Sequence, residues 1–319
     1  MRCSLFPLAL MAASPAVALD LAFPVACTLG EDCYLQNLFD HDPGPGARDA
    51  TCGPLAYDGH DGTDIALPTL ADQAQGVDVL AAAAGVVAAT RADEVDALQR
   101  GPGAPDVAGR ECGNGVVILH GDGWETQYCH MAQNSIAVVK GQEVATGTVL
   151  GRVGYSGLAQ FPHLHLTVRH NGEELDPFAP EASSTCGELP TDTLWADPLP
   201  FPEGGITDVG FATAVPEYAE VTAGTADRPP APDQPFVLFG LLFGGQSGDE
   251  VHLTITGPGD EAVLDRTEEL ERTQALLFRA AGLRAPDEGW PAGTYEGTVT
   301  LRRKGEEVDR LTATVDMPG

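Results

Sequence analysis

The chain has 319 residues, with 17 Lys and Arg against 47 Asp and Glu and a net charge of −30. A length of this order suits two ordinary domains, each with its own core. So negative a chain repels a polyanion, which excludes nucleic acid as a partner; the excess acid reads as a solvated surface that keeps the protein soluble.

The first residues, "MRCSLFPLALMAASPAVALDL", have a basic start, an apolar middle and a small-x-small site at Ala16-Val17-Ala18. This is the layout of an export signal over residues 1–18, with cleavage expected after Ala18 and a periplasmic or secreted location. No later stretch reaches the ~18 consecutive apolar residues that would span a bilayer. A lipid anchor on Cys27 is not expected, because Asp20 interrupts the apolar run and Pro24 stands where an aliphatic residue is wanted. Removal of the signal takes Cys3 and leaves Cys27, Cys33, Cys52, Cys112, Cys129 and Cys186, an even set that in an exported chain predicts three disulfides.

Residues 19–54 hold three of these cysteines and the turn-rich "DHDPGPGARD", and read as an irregular lead tied down by disulfides. From residue 55 to 182 the pattern is one of short strands between glycine turns: "GTDIAL", "VDVLAAAAGVVAAT", "GNGVVILH", "WETQYCHM", "EVATGTVLGRVG" and "PHLHLTVRHNGEEL". No part of it has a convincing helical period. "VVILHGDGWETQY" alternates apolar and polar residues on both sides of Gly-Asp-Gly and predicts a hairpin, which would bring Cys112 and Cys129 together as a disulfide. Residues 92–110 are polar and rich in Gly and Pro, a long surface loop.

Residues 183–204 accumulate proline and glycine without periodicity and read as a linker. Beyond it, in 205–319, "FVLFGLLFGG", "EVHLTITGPG", "TYEGTVTLRR" and "LTATVDM" are strands at sandwich-like spacing, and Tyr295 at a strand start suggests the corner of an immunoglobulin-like or fibronectin-like domain. His252 in this part is a lone histidine on a strand and is read as structural. The sequence carries no signal for oligomeric state.

The chemistry gathers in the central region. In "PHLHLTV", His163 and His165 are two apart on a strand and face one surface, roughly 6–7 Å of rise between them. In "YDGHDGTDIAL", His60 and Asp64 are four apart, but Gly59, Gly62 and the Thr63-Ile65 pair argue for a loop entering a strand rather than a helix. Two neutral imidazoles and a carboxylate suit zinc with one position left for water. Taken alone, a His-x-His strand could serve copper, iron or no metal. A further histidine in "ETQYCHMA", His130, strengthens the case for a metal centre.

Together "HDGTD", "YCHM", "VKGQEVATGTVLGRVGYSG" and "PHLHLTV" resemble, in order, the signature of the lysostaphin-type (LytM-like) zinc metalloendopeptidases, which cut peptide bonds in peptidoglycan stems and cross-bridges. The resemblance covers roughly residues 55–178. It implies one zinc per chain held by His60, Asp64 and His165, catalytic groups at His130 and His163, and peptidoglycan peptide as substrate. Zinc would lower the pKa of its water toward ~7 and polarise the scissile carbonyl. One of His130 and His163 would move the proton and the other hold the oxyanion, in either assignment. The implied fold is all-β, an antiparallel β-sheet metallopeptidase domain followed by the immunoglobulin-like sandwich. Phe161 stands where many relatives have glycine, and the 92–110 loop and cysteine set are unusual for the family. His41 or Asn37, in the lead, are candidates to cover the metal in a latent form; His120 and His170 are read as structural.

Two other readings stay open. A non-catalytic wall-binding or regulatory module on the same scaffold would lack zinc ligands, whereas all five positions are filled here. A carrier domain, suggested by "VKGQEVATGTVLGRVG", needs a modifiable lysine at a hairpin tip, and Lys140 is followed by Gly-Gln.

Overall fold

Residues 19–101, 103–181, 186–188 and 191–318 are described by the structure, a computed structural model. The expected export signal, residues 1–18 with its cut after Ala18, lies outside them. Among the described residues no helix is long and apolar enough to cross a membrane.

In chain order the first half runs β1 (Tyr34–Asn37), β2 (Thr63–Ala66), α1 (Leu70–Gln75), β3 (Asp78–Leu80), β4 (Gly85–Arg91), β5 (Asn114–Gly121), β6 (Trp124–Met131), β7 (Glu143–Val144), β8 (Val149–Arg152), β9 (His163–His170) and β10 (Glu173–Leu175). The second half runs β11 (Gly205–Ala212), α2 (Tyr218–Ala223), β12 (Phe236–Gly245), β13 (Glu250–Gly257), β14 (Glu261–Glu269), β15 (Gln274–Leu283), β16 (Gly293–Arg303) and β17 (Glu306–Met317).

The first half is built on one antiparallel sheet in the order β1-β2-β9-β6-β5-β4-β7, with β10 paired to β9 and a separate β3-β8 pair. The predicted hairpin is present: Gly121 pairs with Trp124, and Asp122 and Gly123 both take positive φ (46° and 83°), as a two-residue turn matching strand twist requires. Three disulfides join Cys27–Cys33, Cys52–Cys186 and the expected Cys112–Cys129.

Three features depart from the sequence reading. The lead supplies an edge strand, β1, which pairs with β2. A short helix, α1, stands where none was expected: Thr69 caps it by accepting from the Asp72 amide at 3.3 Å, and Gly76 ends it at φ 86°. Six residues are too few to show a helical period, so only the capping pattern could have marked it. The segment read as a linker is not a free spacer, because Leu194 and Trp195 are buried in the core of the first half and Leu21 bridges to Trp195.

The second half is an all-antiparallel pair of sheets, β11-β12-β15 and β14-β13-β16-β17. All ten residues of β12 are buried, which explains its unbroken apolar run. Phe236, Leu238 and Leu242 face the other sheet, while Val237, Phe239 and Leu241 face outward onto Val221 and Ala226 beside α2. Phe243, next on that outer face, clusters with Tyr34 and Ala66 of the first half. The two halves are thus packed against each other. Strand β13 alternates buried with half-exposed positions, as a strand with one wet face should. The Tyr295 hydroxyl donates to the Pro291 carbonyl at 2.9 Å.

Candidate metal centre and catalytic site

Pairing register creates the site. Asp64 on β2 stands directly opposite His165 on β9, and Ala66 opposite His163, so their side chains leave one face of the sheet. On the other side of β2, Asn37 pairs with Asp64. His60 comes from the preceding loop, held by its Nδ1, which donates to the Leu38 carbonyl at 2.6 Å. The glycine of "HDGTD" is needed for close approach, since a Cβ on Gly62 would stand 2.5 Å from the Leu166 oxygen and 2.7 Å from His165 Nε2.

Three donor atoms converge. His60 Nε2 lies 3.1 Å from Asp64 Oδ1 and 3.2 Å from His165 Nδ1, and that Nδ1 lies 2.9 Å from Asp64 Oδ1. The far nitrogen of each imidazole is already engaged: His60 Nδ1 by Leu38, and His165 Nε2 by Asp61 Oδ1 at 3.1 Å and Thr167 Oγ1 at 3.0 Å. In their neutral forms the three atoms therefore turn lone pairs toward one point, an arrangement that a bound cation satisfies. In a tetrahedron with bonds of about 2.0 Å, ligand atoms sit about 3.3 Å apart, so the spacing fits zinc. All three residues are buried. The other such cluster among the described residues, Cys27, Asp32 and Cys33, has its sulfurs committed to a disulfide.

His163 and His130 flank this trio. His163 donates from Nδ1 to the Phe161 carbonyl at 2.8 Å, and its Nε2 is 3.5 Å from Asp64 Oδ1. His130 donates from Nδ1 to the Ser156 carbonyl at 2.8 Å, and its ring lies 4.6 Å from that of His163. Its backbone takes φ 61°, which breaks strand alternation after Cys129. Tyr57 packs on His60 at 4.5 Å and Phe161 on His163 at 4.3 Å, forming two aromatic flanks.

The electrostatics follow from burial and close charge. Burial alone would raise Asp64, but His60, His163 and His165 outweigh it and hold the carboxyl well below its ordinary 3.8. Burial pushes His163 below 6.5 against the pull of Asp64, and burial with the neighbouring His163 and His165 pushes His130 well below. For His165 burial is overcome by Asp61 and Asp64, which raise it to about 9.

The five residues singled out from the sequence are thus brought together. The remaining candidates are not. His41 pairs with Asp176 at 2.8 Å, away from the trio. His120 lies between the Ala84 carbonyl and Thr126, His170 stacks on Trp124, and His252 pairs with Asp265. Asn37 does reach the site, but as a donor to Asp64 Oδ2 at 2.8 Å. Sequence reasoning missed Asp61 and Thr167. Thr167 had a signal, continuing the alternation of His163 and His165; Asp61 had none.

Residues 58–177 match the family model described as Peptidase family M23. Over 106 residues the chain is 35% identical to the peptidoglycan DD-endopeptidase ShyA of Vibrio cholerae, covering 33% of this chain and 19% of that protein. Over 65 residues it is 42% identical to the DD-carboxypeptidase/endopeptidase Mpg of Neisseria meningitidis, covering 20% and 14%. The matched stretches thus span less than a fifth of those relatives. Among solved structures, the catalytic domain of lysostaphin from Staphylococcus simulans aligns with a TM-score of 0.28 at 23% identity, covering 39% of this chain and 82% of that one.

Proposed function

We propose, from the match of residues 58–177 to peptidase family M23, that this chain is an exported zinc endopeptidase hydrolysing peptide bonds in peptidoglycan stems or cross-links. The convergence of His60 Nε2, Asp64 Oδ1 and His165 Nδ1 within 2.9–3.2 Å of one another carries this reading. These three would hold one zinc, which when bound supplies a Lewis acid for the scissile carbonyl and acidifies water.

The chain's own groups do the rest. With Nδ1 committed to a backbone carbonyl, the neutral rings of His130 and His163 each keep an unprotonated Nε2. Either can accept a proton there, and the resulting imidazolium can donate to the tetrahedral oxyanion or to the leaving amine. Asn37 orients Asp64 from the far side. The three disulfides suit an exported protein, and the export signal over 1–18 belongs to the same reading. Sandwich topology and the Tyr295–Pro291 bond support an immunoglobulin-like or fibronectin-like assignment for residues 205–319.

The test is metal analysis together with a turbidity assay on purified sacculi. One zinc per chain is expected in the wild type, with zinc and activity lost in His60→Ala, Asp64→Ala and His165→Ala. His163→Ala should keep the metal and lose turnover. Activity persisting in all three ligand variants would remove the mechanism. Because ShyA is named a peptidoglycan DD-endopeptidase and Mpg a DD-carboxypeptidase/endopeptidase, the D-alanyl–diaminopimelate cross-link is the first bond to examine by mass spectrometry of digested muropeptides.

A further inference from the structure

We propose that the C-terminal sandwich is a working part of the catalytic site, holding Phe161 and through it the ring of His163 in the orientation that turnover needs; this rests on His163 being a catalytic group. The sandwich residues concerned, Phe243 and Leu276, are positioning residues.

His163 is held by Phe161 in two ways. Its Nδ1 donates to the Phe161 carbonyl at 2.8 Å, and the two rings lie 4.3 Å apart at 30°. The backbone of residue 161 therefore sets the tautomer, and the side chain sets the plane. Pro162 stands between them with its φ fixed, so a shift of Phe161 passes to His163 with little slack.

What holds Phe161 is not the peptidase sheet alone. Phe161 packs against the cluster of Tyr34, Ala66 and Phe243, and Leu276 packs against the same cluster. Tyr34, Ala66 and His163 form one row across β1, β2 and β9, which puts this cluster on the face of the sheet that carries the site. Phe243 and Leu276 come from β12 and β15 of the sandwich. The Tyr34 and Phe243 rings are 4.5 Å apart, and beside them Gln36 Nε2 donates to the Ala275 carbonyl at 2.7 Å.

A second clasp fixes the sandwich's orientation. Arg100, from the long loop, donates to Thr222 Oγ1 at 3.2 Å and lies over the Tyr218 ring at 5.5 Å, both on α2. Gly224, which ends α2, approaches Thr69 so closely that a Cβ would stand 2.5 Å from its hydroxyl. A domain held by both sets of contacts transmits position, whereas one on a loose tether would not.

The experiment compares Phe243→Ala and Leu276→Ala with wild type on a soluble cross-linked muropeptide, with zinc content and thermal unfolding measured alongside. Val251→Ala, in the sandwich core away from the cluster, is the control for lost stability. We expect kcat to fall about tenfold to a hundredfold in the two cluster variants, the cost of a small misplacement of a reacting group. Zinc stoichiometry should be unchanged and KM within twofold. Val251→Ala should lower the melting temperature and leave kcat unchanged below it. If Phe243→Ala does not fold, Leu276→Ala, only partly buried, carries the comparison. Unchanged kcat in the folded cluster variants, or an equal fall in Val251→Ala, overturns the proposal. A wild type that binds no zinc or leaves the muropeptide intact overturns instead the reading on which it rests.

Discussion

An imidazole can offer a metal either ring nitrogen, and the hydrogen bond on the other one decides which. In His165 the decision falls to Asp61 and Thr167, which engage Nε2 and leave Nδ1 for the trio. Asp61→Asn and Asp61→Ala should therefore weaken zinc binding by about tenfold to a hundredfold, measured by chelator competition, with the fold intact. A zinc affinity equal to wild type in both would mean that Thr167 alone suffices. The two flanking histidines make a separate prediction. Both are held below the ordinary value of 6.5, chiefly by burial, and a nearby dication would push them in the same direction. A proton-accepting histidine with a lowered pKa stays competent as pH falls, so any acid limb that either ring contributes to kcat/KM should lie below pH 6.5. A single limb centred above 6.5 would belong to another group, such as water on the zinc, and a second limb resolved above 6.5 that is lost in His163→Ala or His130→Ala would exclude that ring, as placed here, as the base. At this scale the sequence was informative where chemistry has a pattern. His163, His165 and Thr167 alternate along one strand, whereas Asp61 acts across space from a loop position that no periodicity marks.

At the level of elements, what was legible tracks length and alternation. The β5–β6 hairpin was readable because both arms alternate around a turn with glycine, and the disulfide between Cys112 and Cys129 followed from it. β1 was hidden, because four buried residues within a cysteine-rich lead show no alternation and gain their strand character from pairing with β2. The run "VDVLAAAAGVVAAT" divides into β3 and β4 in different sheets, a break that composition does not reveal. The Cys112–Cys129 bridge also has local work, since Cys129 pairs with His165 and directly precedes the positive-φ His130. It closes a sequence separation of 17 residues. Replacing both cysteines by serine should cost about 3 kcal/mol in urea unfolding, by the loop-entropy estimate. Turnover should fall by more than that loss of folded protein explains, because His130 loses its tether. Full retention of kcat in the folded variant would show that the strand alone positions His130.

Across the whole molecule, the sequence suggested two units on a linker, and the structure joins them. The residues that do so, Tyr34, Phe161, Phe243, Arg100 and Thr222, are scattered over the chain and share no motif, so nothing local announces the interface. The Cys52–Cys186 bridge has a similar reach, enclosing a separation of 134 residues that contains the entire His and Asp constellation. A single protease cut in the 92–110 loop would put His60 and Asp64 on one fragment and His130, His163 and His165 on the other, yet leave both covalently joined. Such nicked protein should migrate as one band without reductant and as two with it. A clipped chain would in this way keep its halves from drifting apart, and only a thiol would unmake it.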